Sequence, residues 1–138
     1  KYLDEDNQHR KMVADYYYKH ISSPLITLPD RLPDDENVYH LFPILVGSAD
    51  DNGSCLRDRL QAYLKAKGIG TVIHYPISPH RQECYAKASW NSYGKTISGN
   101  AKLPVTDYIA QHELSLPMSP SITIEEAESI IEFIHLFS

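Results

Sequence analysis

The chain has 138 residues, of which 42% are hydrophobic, and this length and composition predict one domain with a core of its own. Its formal net charge is −5 and its acidic residues are spread along the sequence, a balance that excludes the clustered basic surface of a nucleic-acid-binding protein. No apolar run approaches the roughly 20 residues of a membrane-spanning helix, so no membrane partner is expected.

The first predicted element is an amphipathic helix over residues 2–21, where apolar side chains recur at helical spacing. Three consecutive tyrosines lie in it at positions 16–18, and we expect two of the rings to pack and one to lie on the surface; the alternative is a platform on which bases stack. The chain begins with Lys1 inside this helix, which we interpret as a piece cut from a longer protein. A processed or mature terminus is the alternative.

Two strands are predicted next, over residues 25–28 and 38–46. The second is apolar on both faces, so it is expected to be covered on both. Pro43 lies inside it, and because proline cannot donate to a strand ladder, this position is expected at an edge or a bulge. A helix is then predicted over residues 54–67, with Ser54 as its cap and Gly68 as its end.

The middle of the chain carries its most informative segment. Residues 69–75 are predicted to be a strand, residues 80–87 a short helix, and the polar residues 88–100 a mobile loop. Between the strand and the short helix, two histidines and two prolines form a stiffened turn, because each proline restricts the residue before it. Polar rings on a stiff strand-to-helix connection suit a binding pocket, and His74 and Tyr75 are expected to project to opposite sides of the strand end.

The last part of the chain alternates again between helix and strand. Pro104 suits the first turn of a helix that runs to about residue 113. A short buried strand follows over residues 114–117, and Thr123 with Glu126 predicts a capping box before the final helix. This order of elements predicts an α+β fold, a two-layer α/β sandwich in which helices cover a small open sheet.

Cysteine usage predicts a reduced, cytoplasmic protein. The two cysteines, Cys55 and Cys84, are too few for a disulfide framework. His80 and Cys84 would share one face of a helix, which makes a metal site an alternative. Because two ligands without a second pair do not complete a site, we expect no bound metal.

The chain lacks the residues for a complete reaction. It has no P-loop, dinucleotide fingerprint, Gly-x-Ser-x-Gly elbow or kinase signature. Asp58 is a poor candidate for a catalytic carboxylate because it lies between Arg57 and Arg59. All eight lysines are expected to be exposed, so none should have the lowered pKa that imine chemistry requires. We therefore predict no catalytic residue in this chain.

An ordered series of residues resembles the carboxy-terminal small domain of the DegT/DnrJ/EryC1/StrS aminotransferases. These are pyridoxal 5′-phosphate (PLP) enzymes that aminate keto sugars attached to nucleotides. The main matching runs are, in chain order, His40-Leu41-Phe42, Ile73-His74-Tyr75-Pro76, Leu103-Pro104-Val105 and Leu114-Ser115-Leu116-Pro117. Pro43, the segment 88–100 and Ser119 depart from the family pattern. Ser119 and the run over residues 82–85 look most like members that make 3-amino-3,6-dideoxy sugars on dTDP.

The resemblance implies that residues 1–138 are a small domain whose large, PLP-binding domain lies upstream. The PLP lysine, its other contacts and all catalytic residues would belong to that part, so this chain alone should be inactive. The parent would transfer an amino group from an amino acid, usually glutamate, to a nucleotide-linked keto-deoxy sugar. Its products would feed lipopolysaccharide, surface polysaccharide or antibiotic pathways. The family works as a homodimer with sites built from both chains, so a second subunit is an implied partner.

The same resemblance implies three substrate-binding residues. His74 would hydrogen-bond a sugar hydroxyl or the diphosphate, Tyr75 would offer a hydroxyl and a flat face, and His80 would help to hold an anion at a helix start. For each, the alternative is a polar side chain satisfied within the protein. Two alternatives for the whole protein are a non-catalytic module that binds sugar nucleotides and a relative without the PLP lysine, acting as a dehydratase or regulator.

Overall fold

The computed structural model describes residues 1–33, 36–47, 54–85, 89–92, 95–98 and 101–137. Its regular elements are, in chain order, helix α1 (Leu3–His20), strands β1 (Ile26–Thr27) and β2 (Phe42–Val46), helix α2 (Ser54–Ala66), strands β3 (Ser89–Ser92) and β4 (Lys95–Ser98), helix α3 (Pro104–His112), strand β5 (Glu113–Leu116) and helix α4 (Ile124–Leu136). Two short 3-10 turns, Pro79–Arg81 and Glu83–Tyr85, lie between α2 and β3. The predicted α+β class is confirmed.

The main sheet has three antiparallel strands in the order β1-β2-β5. All four residues of β5 are buried, as predicted for the short strand before Pro117. Because side chains alternate along a strand, Leu114 and Leu116 enter the hydrophobic core while Glu113 and Ser115 point away from it. Strand β5 therefore places two buried polar side chains on its second face.

Helices α1, α2 and α4 build the core together with the sheet. The largest fully buried side chains of this core include Tyr17, Phe42, Ile44, Leu60, Leu64, Leu114 and Ile134. The Tyr17 hydroxyl donates a hydrogen bond to the backbone carbonyl of Pro117 at 2.9 Å and so ties α1 to the end of β5. Tyr17 is buried, and Tyr16 and Tyr18 are partly buried against the core, so the prediction that one ring lies on the surface is wrong.

Three predicted signals at the ends of α-helices are present in the structure. Pro104 occupies the first turn of α3. The Thr123 hydroxyl accepts from the backbone N–H of Glu126 at 3.2 Å, and the Glu126 carboxylate accepts from the N–H of Thr123 at 2.9 Å, which completes the capping box. Gly68 follows α2 with a φ of 82°, a left-handed conformation that favours glycine. The cap predicted at Ser54 rests on a side chain outside the described part.

The second predicted strand is shorter than expected. It begins at Phe42, because the Asn37 side chain accepts from the N–H of Tyr39 at 2.8 Å and Tyr39 takes a φ of 49°, which turns the chain before the sheet. Pro43 lies opposite Ser115 in an unbroken register, so no bulge is present there. Strand β1 pairs only with Leu45 and Val46 of β2. At Pro43, β2 therefore has a described strand neighbour on one side and not on the other, which makes this an edge position.

The prediction of a strand over residues 69–75 is wrong, except for a single β-bridge at Val72. Val72 and Ser115 exchange backbone hydrogen bonds of 3.2 and 2.7 Å. The ladder stops there because the next N–H group that points towards β5, that of His74, does not bond to a backbone carbonyl of β5. It bonds instead to the side-chain carboxylate of Glu113 at 2.5 Å. The segment therefore follows β5 as an irregular chain.

Two further predictions of secondary structure need correction. The helix predicted over residues 80–87 is replaced by the two 3-10 turns, because Gln82 between them is extended, with a ψ of 142°. The loop predicted over residues 88–100 contains a hairpin of β3 and β4, in which Trp90 lies opposite Ile97. Serine and asparagine indicate loops only on average, and cross-strand pairing overrides that preference here. Residues 86–88, 93–94 and 99–100 lie outside the described residues.

Candidate functional site

The irregular segment after Val72 carries all three predicted site residues. It passes along β5 and then turns through Pro79–Arg81 towards the start of α3. Two buried or half-buried carboxylates, Glu113 at the start of β5 and Asp107 in the first turn of α3, each receive hydrogen bonds from this segment. The segment is thus held at two points, and the predicted residues lie at or between them.

His74 is held from two sides by β5. Its backbone N–H donates to Glu113 Oε2 at 2.5 Å, and its ring Nδ1 lies 2.9 Å from Ser115 Oγ. The Ser115 hydroxyl in turn donates to Glu113 Oε1 at 2.6 Å. The His74 side chain is 25% exposed, whereas that of Glu113 is 4% exposed. The ring is therefore anchored by β5 through Nδ1 and remains partly accessible.

Tyr75 lies beside His74 rather than on the opposite side of the chain. The two rings meet edge to face with centroids 5.6 Å apart. The strict alternation of side chains applies only to an extended strand, and the chain has left the sheet at this point. Tyr75 is 67% exposed, so its face and hydroxyl remain accessible. The prediction of opposite sides is wrong, and the structure brings these two predicted residues together.

His80 has a different environment. Its side chain is 2% exposed, and neither ring nitrogen has a hydrogen-bond partner among the described residues. A charged neighbour is Asp107, whose Oδ1 lies 3.5 Å from Nε2. The 3-10 turn that carries it has only three residues, so the helix start expected to help bind an anion is not present. The structure therefore places His80 inside the protein, apart from the accessible pair.

Asp107 joins the turn to α3. Its Oδ1 accepts from Ser78 Oγ at 2.7 Å and from Arg81 Nε at 2.8 Å, and its Oδ2 accepts from a second Arg81 nitrogen at 2.7 Å. The Arg81 hydrogen bonds, followed by the one from Ser78, hold the pKa of the Asp107 carboxyl well below its usual range. A cavity of about 310 Å³ lies beside this cluster, lined by Pro76, Ile77, Ser78, Arg81, Asp107, Ala110 and Gln111.

Arg57 supports the site from α2. It is buried, and one of its nitrogens donates to the backbone carbonyls of Ala110 and Glu113 at 3.1 and 3.3 Å. Its Nε donates to Asp58 at 2.6 Å, so Asp58 is paired within the protein. Arg57, Asp107, Glu113 and Ser115 were not predicted as site residues. The sequence signals for the last two are the alternation of polar and apolar residues in a buried strand and, for Ser115, its place in the run Leu114-Ser115-Leu116-Pro117.

The described side chains do not fit a PLP-anchoring site. Such a site needs a lysine in a buried setting. Among the lysines whose side chains the structure describes, Lys11 is partly buried, which corrects the prediction for that residue, and the others are exposed. The described part of the chain also holds no group of three or more potential metal ligands. His80 is buried and Cys84 exposed, so the two do not face one common site.

The sequence profile of the DegT/DnrJ/EryC1/StrS aminotransferase family matches residues 1–135. Since the match covers nearly the whole chain, the chain belongs to this family. It is 36% identical over 136 residues to dTDP-3-amino-3,6-dideoxy-alpha-D-galactopyranose transaminase from Aneurinibacillus thermoaerophilus, an alignment that covers 99% of this chain and 32% of the relative.

Solved structures agree with this assignment. The fold matches DesV of S. venezuelae in complex with a ketimine intermediate, with a TM-score of 0.77, 29% identity, and 98% of this chain and 32% of DesV covered. It also matches NtdA from Bacillus subtilis with bound cofactor PMP, with a TM-score of 0.71, 28% identity, and 99% and 29% covered. The chain spans about a third of the length of these relatives. No described helix is long and apolar enough to cross a bilayer.

Proposed function

We propose that residues 1–138 are the carboxy-terminal small domain of a PLP-dependent sugar aminotransferase. The observation that carries the proposal is the family match over residues 1–135, combined with coverage of only about a third of each relative. The remaining two thirds would hold the cofactor, since the described lysines of this chain do not fit that role. PLP would supply the electron sink for amino transfer when bound to the complete protein.

The proposed reaction moves an amino group from an amino acid, with glutamate as the expected donor, to a nucleotide-linked keto-deoxy sugar. The sugar class is supported by the relative from A. thermoaerophilus, whose name specifies a dTDP-linked amino sugar. Such products suit lipopolysaccharide, surface polysaccharide or antibiotic synthesis in the cytoplasm. The free, exposed Cys84 agrees with a reducing compartment. A homodimer with sites built from both subunits completes the proposal.

Within this domain, His74 and Tyr75 are the residues proposed to face the sugar nucleotide. Both are accessible, their rings touch, and His74 is fixed by hydrogen bonds from its inner side. A hydrogen-bonding nitrogen next to an exposed aromatic face is the combination that sugar-binding sites use. His80 is the third proposed residue, although its side chain is buried beside Asp107.

The experiment that tests this function is a visible absorption spectrum of the complete protein, recorded before and after addition of glutamate. Protein-bound PLP should give a yellow band that glutamate bleaches. The matched control is the 138-residue chain mixed with PLP and glutamate, which should show only the spectrum of free PLP. A complete protein that stays colourless would refute the aminotransferase and favour a regulator, a dehydratase without the lysine, or a sugar-nucleotide-binding module.

A further inference from the structure

We propose that Glu113 and Ser115 are positioning residues that keep the proton of neutral His74 on Nδ1, so that Nε2 presents a lone pair to the ligand. The ligand group at Nε2 is then a hydrogen-bond donor, a sugar hydroxyl, and not a diphosphate oxygen. The naming of a sugar hydroxyl rests on the proposed function, whereas the position of the proton does not.

The direction of each hydrogen bond follows from what each group can donate. An ionised carboxylate only accepts, and Ser115 has one hydroxyl proton. That proton lies in the 2.6 Å bond to Glu113 Oε1, while Oε2 accepts the backbone N–H of His74. Ser115 Oγ can therefore only accept from His74 Nδ1, 2.9 Å away. The imidazole must carry its proton on Nδ1 to complete this chain.

The geometry around Glu113 makes its side chain the acceptor in both hydrogen bonds. Oε2 faces the backbone N–H of His74, and Oε1 faces the Ser115 hydroxyl. The buried guanidinium of Arg57 lies at the same strand end, 3.3 Å from the Glu113 carbonyl oxygen. The His74 ring faces the same carboxylate, with Nδ1 3.9 Å from Glu113 Oε1.

The consequence for the ligand follows from the second ring nitrogen. With Nδ1 engaged at Ser115, Nε2 is the nitrogen available to a ligand, and in the neutral ring it is an acceptor. A phosphate oxygen, which also accepts, gains no hydrogen bond there. A sugar hydroxyl donates to Nε2 while the sugar ring lies against the exposed face of Tyr75, whose edge-to-face contact aligns the two side chains.

The decisive variant is Glu113→Gln, which keeps the shape of the side chain but reverses one hydrogen bond. The glutamine oxygen must face the N–H of His74, so its NH₂ group donates to Ser115 Oγ. The Ser115 hydroxyl then donates to Nδ1, and the imidazole proton moves to Nε2. The positions of the heavy atoms are expected to change little, which separates this effect from a structural one.

The test is neutron diffraction from deuterium-exchanged crystals of the complete protein, grown at mildly alkaline pH, where histidine side chains are neutral. The wild-type ring should carry its deuteron on Nδ1, and Glu113→Gln should carry it on Nε2. The matched control, Glu132→Gln on the exposed face of α4, should keep it on Nδ1. A deuteron on Nε2 in the wild type, or no change in Glu113→Gln, overturns the positioning role.

A second readout separates this inference from the proposed function. Affinity of the complete protein for a nucleotide-linked sugar should fall about three- to tenfold in His74→Phe, as for the loss of one neutral hydrogen bond. Affinity for the free nucleotide diphosphate should stay within about twofold, since no phosphate contact is assigned to Nε2. An unchanged sugar affinity in His74→Phe, together with a relocated deuteron in Glu113→Gln, overturns the sugar contact while the positioning role stands.

Discussion

At the scale of single residues, two carboxylates determine how the candidate site is built. Glu113 accepts a hydrogen bond from the backbone N–H of His74, and Ser115 links it to the His74 ring. Asp107 accepts hydrogen bonds from Ser78 and Arg81 and lies against the buried ring of His80. Both are partners of residues about 25 to 40 positions earlier in the chain, and that separation explains why local patterns do not reveal them.

Asp107 should make the stability of the protein depend on acid pH. Its pKa is lower in the folded protein than in the unfolded chain, so its contribution is complete above the unfolded value of about 4 and is lost as pH falls below it. Asp107→Asn should therefore flatten the decrease of the melting temperature between about pH 5 and pH 2. The measurement is thermal unfolding by circular dichroism across this pH range.

The control for this prediction is Asp30→Asn, at an exposed position outside the site. It should keep a pH profile close to that of the wild type. A profile of Asp107→Asn that runs parallel to the wild-type profile would show that the cluster of Arg81, Ser78 and Asp107 does not contribute through its charge.

At the scale of elements, the helices show agreement between local signals and tertiary packing. The ends of α3 and α4 follow from Pro104 and from the capping box of Thr123 and Glu126. The segments that depart from prediction are the irregular chain over residues 73–78 and the two 3-10 turns. There the backbone and side chains bond to Glu113 and Asp107, partners that only the folded chain supplies.

Thr123→Ala should destabilise the protein by about 1 kcal/mol, because the N–H of Glu126 loses its side-chain acceptor. The free energy of unfolding from urea titration measures this effect. Thr123→Ser keeps the hydroxyl and should retain most of the stability. Equal losses in both variants would mean that the methyl group of Thr123, and not the cap, stabilises α4.

The buried face of α2 should dominate its contribution to stability. Leu60 is fully buried in the core, so Leu60→Ala should cost about 2–5 kcal/mol through lost apolar burial and the cavity left behind. Leu136, in the last turn of α4, is 63% exposed, and Leu136→Ala should cost less than about 1 kcal/mol. Urea unfolding of the two variants compares the same chemical change in two environments.

At the scale of the whole molecule, several large apolar side chains lie exposed on the irregular segment and on α3. They are Val72, Tyr75, Ile77, Val105 and Ile109. In a domain that spans about a third of its relatives, such a surface agrees with contacts to the rest of the parent protein.

The isolated chain should therefore self-associate at high concentration. Sedimentation velocity should show a weight-average mass that rises with concentration above the 15.7 kDa of the monomer. Val105→Glu with Ile109→Glu, both at exposed positions on α3, should reduce this association without loss of secondary structure. A chain that remains monomeric at every concentration would contradict the prediction.

Local sequence signals predict much of this fold. Helical periodicity, proline at a first turn and a capping box are local properties, so the helices, the buried strand before Pro117 and the α+β class could be predicted. The ordered motifs also sufficed to recognise the family. The accessibility of His74 and Tyr75 agrees with their prediction as site residues, although their contact with substrate stays a prediction.

How those residues are held depends on the packing of the folded chain. The edge-to-face contact of His74 with Tyr75, the burial of His80 and the roles of Glu113, Ser115 and Asp107 depend on bringing α3 and β5 against a segment far away in sequence. Hydrogen bonds of this kind have no periodic signature, because their partners are selected by position in space. The sequence determined which side chains are present, and the packing of β5 and α3 decided which of them a ligand can reach.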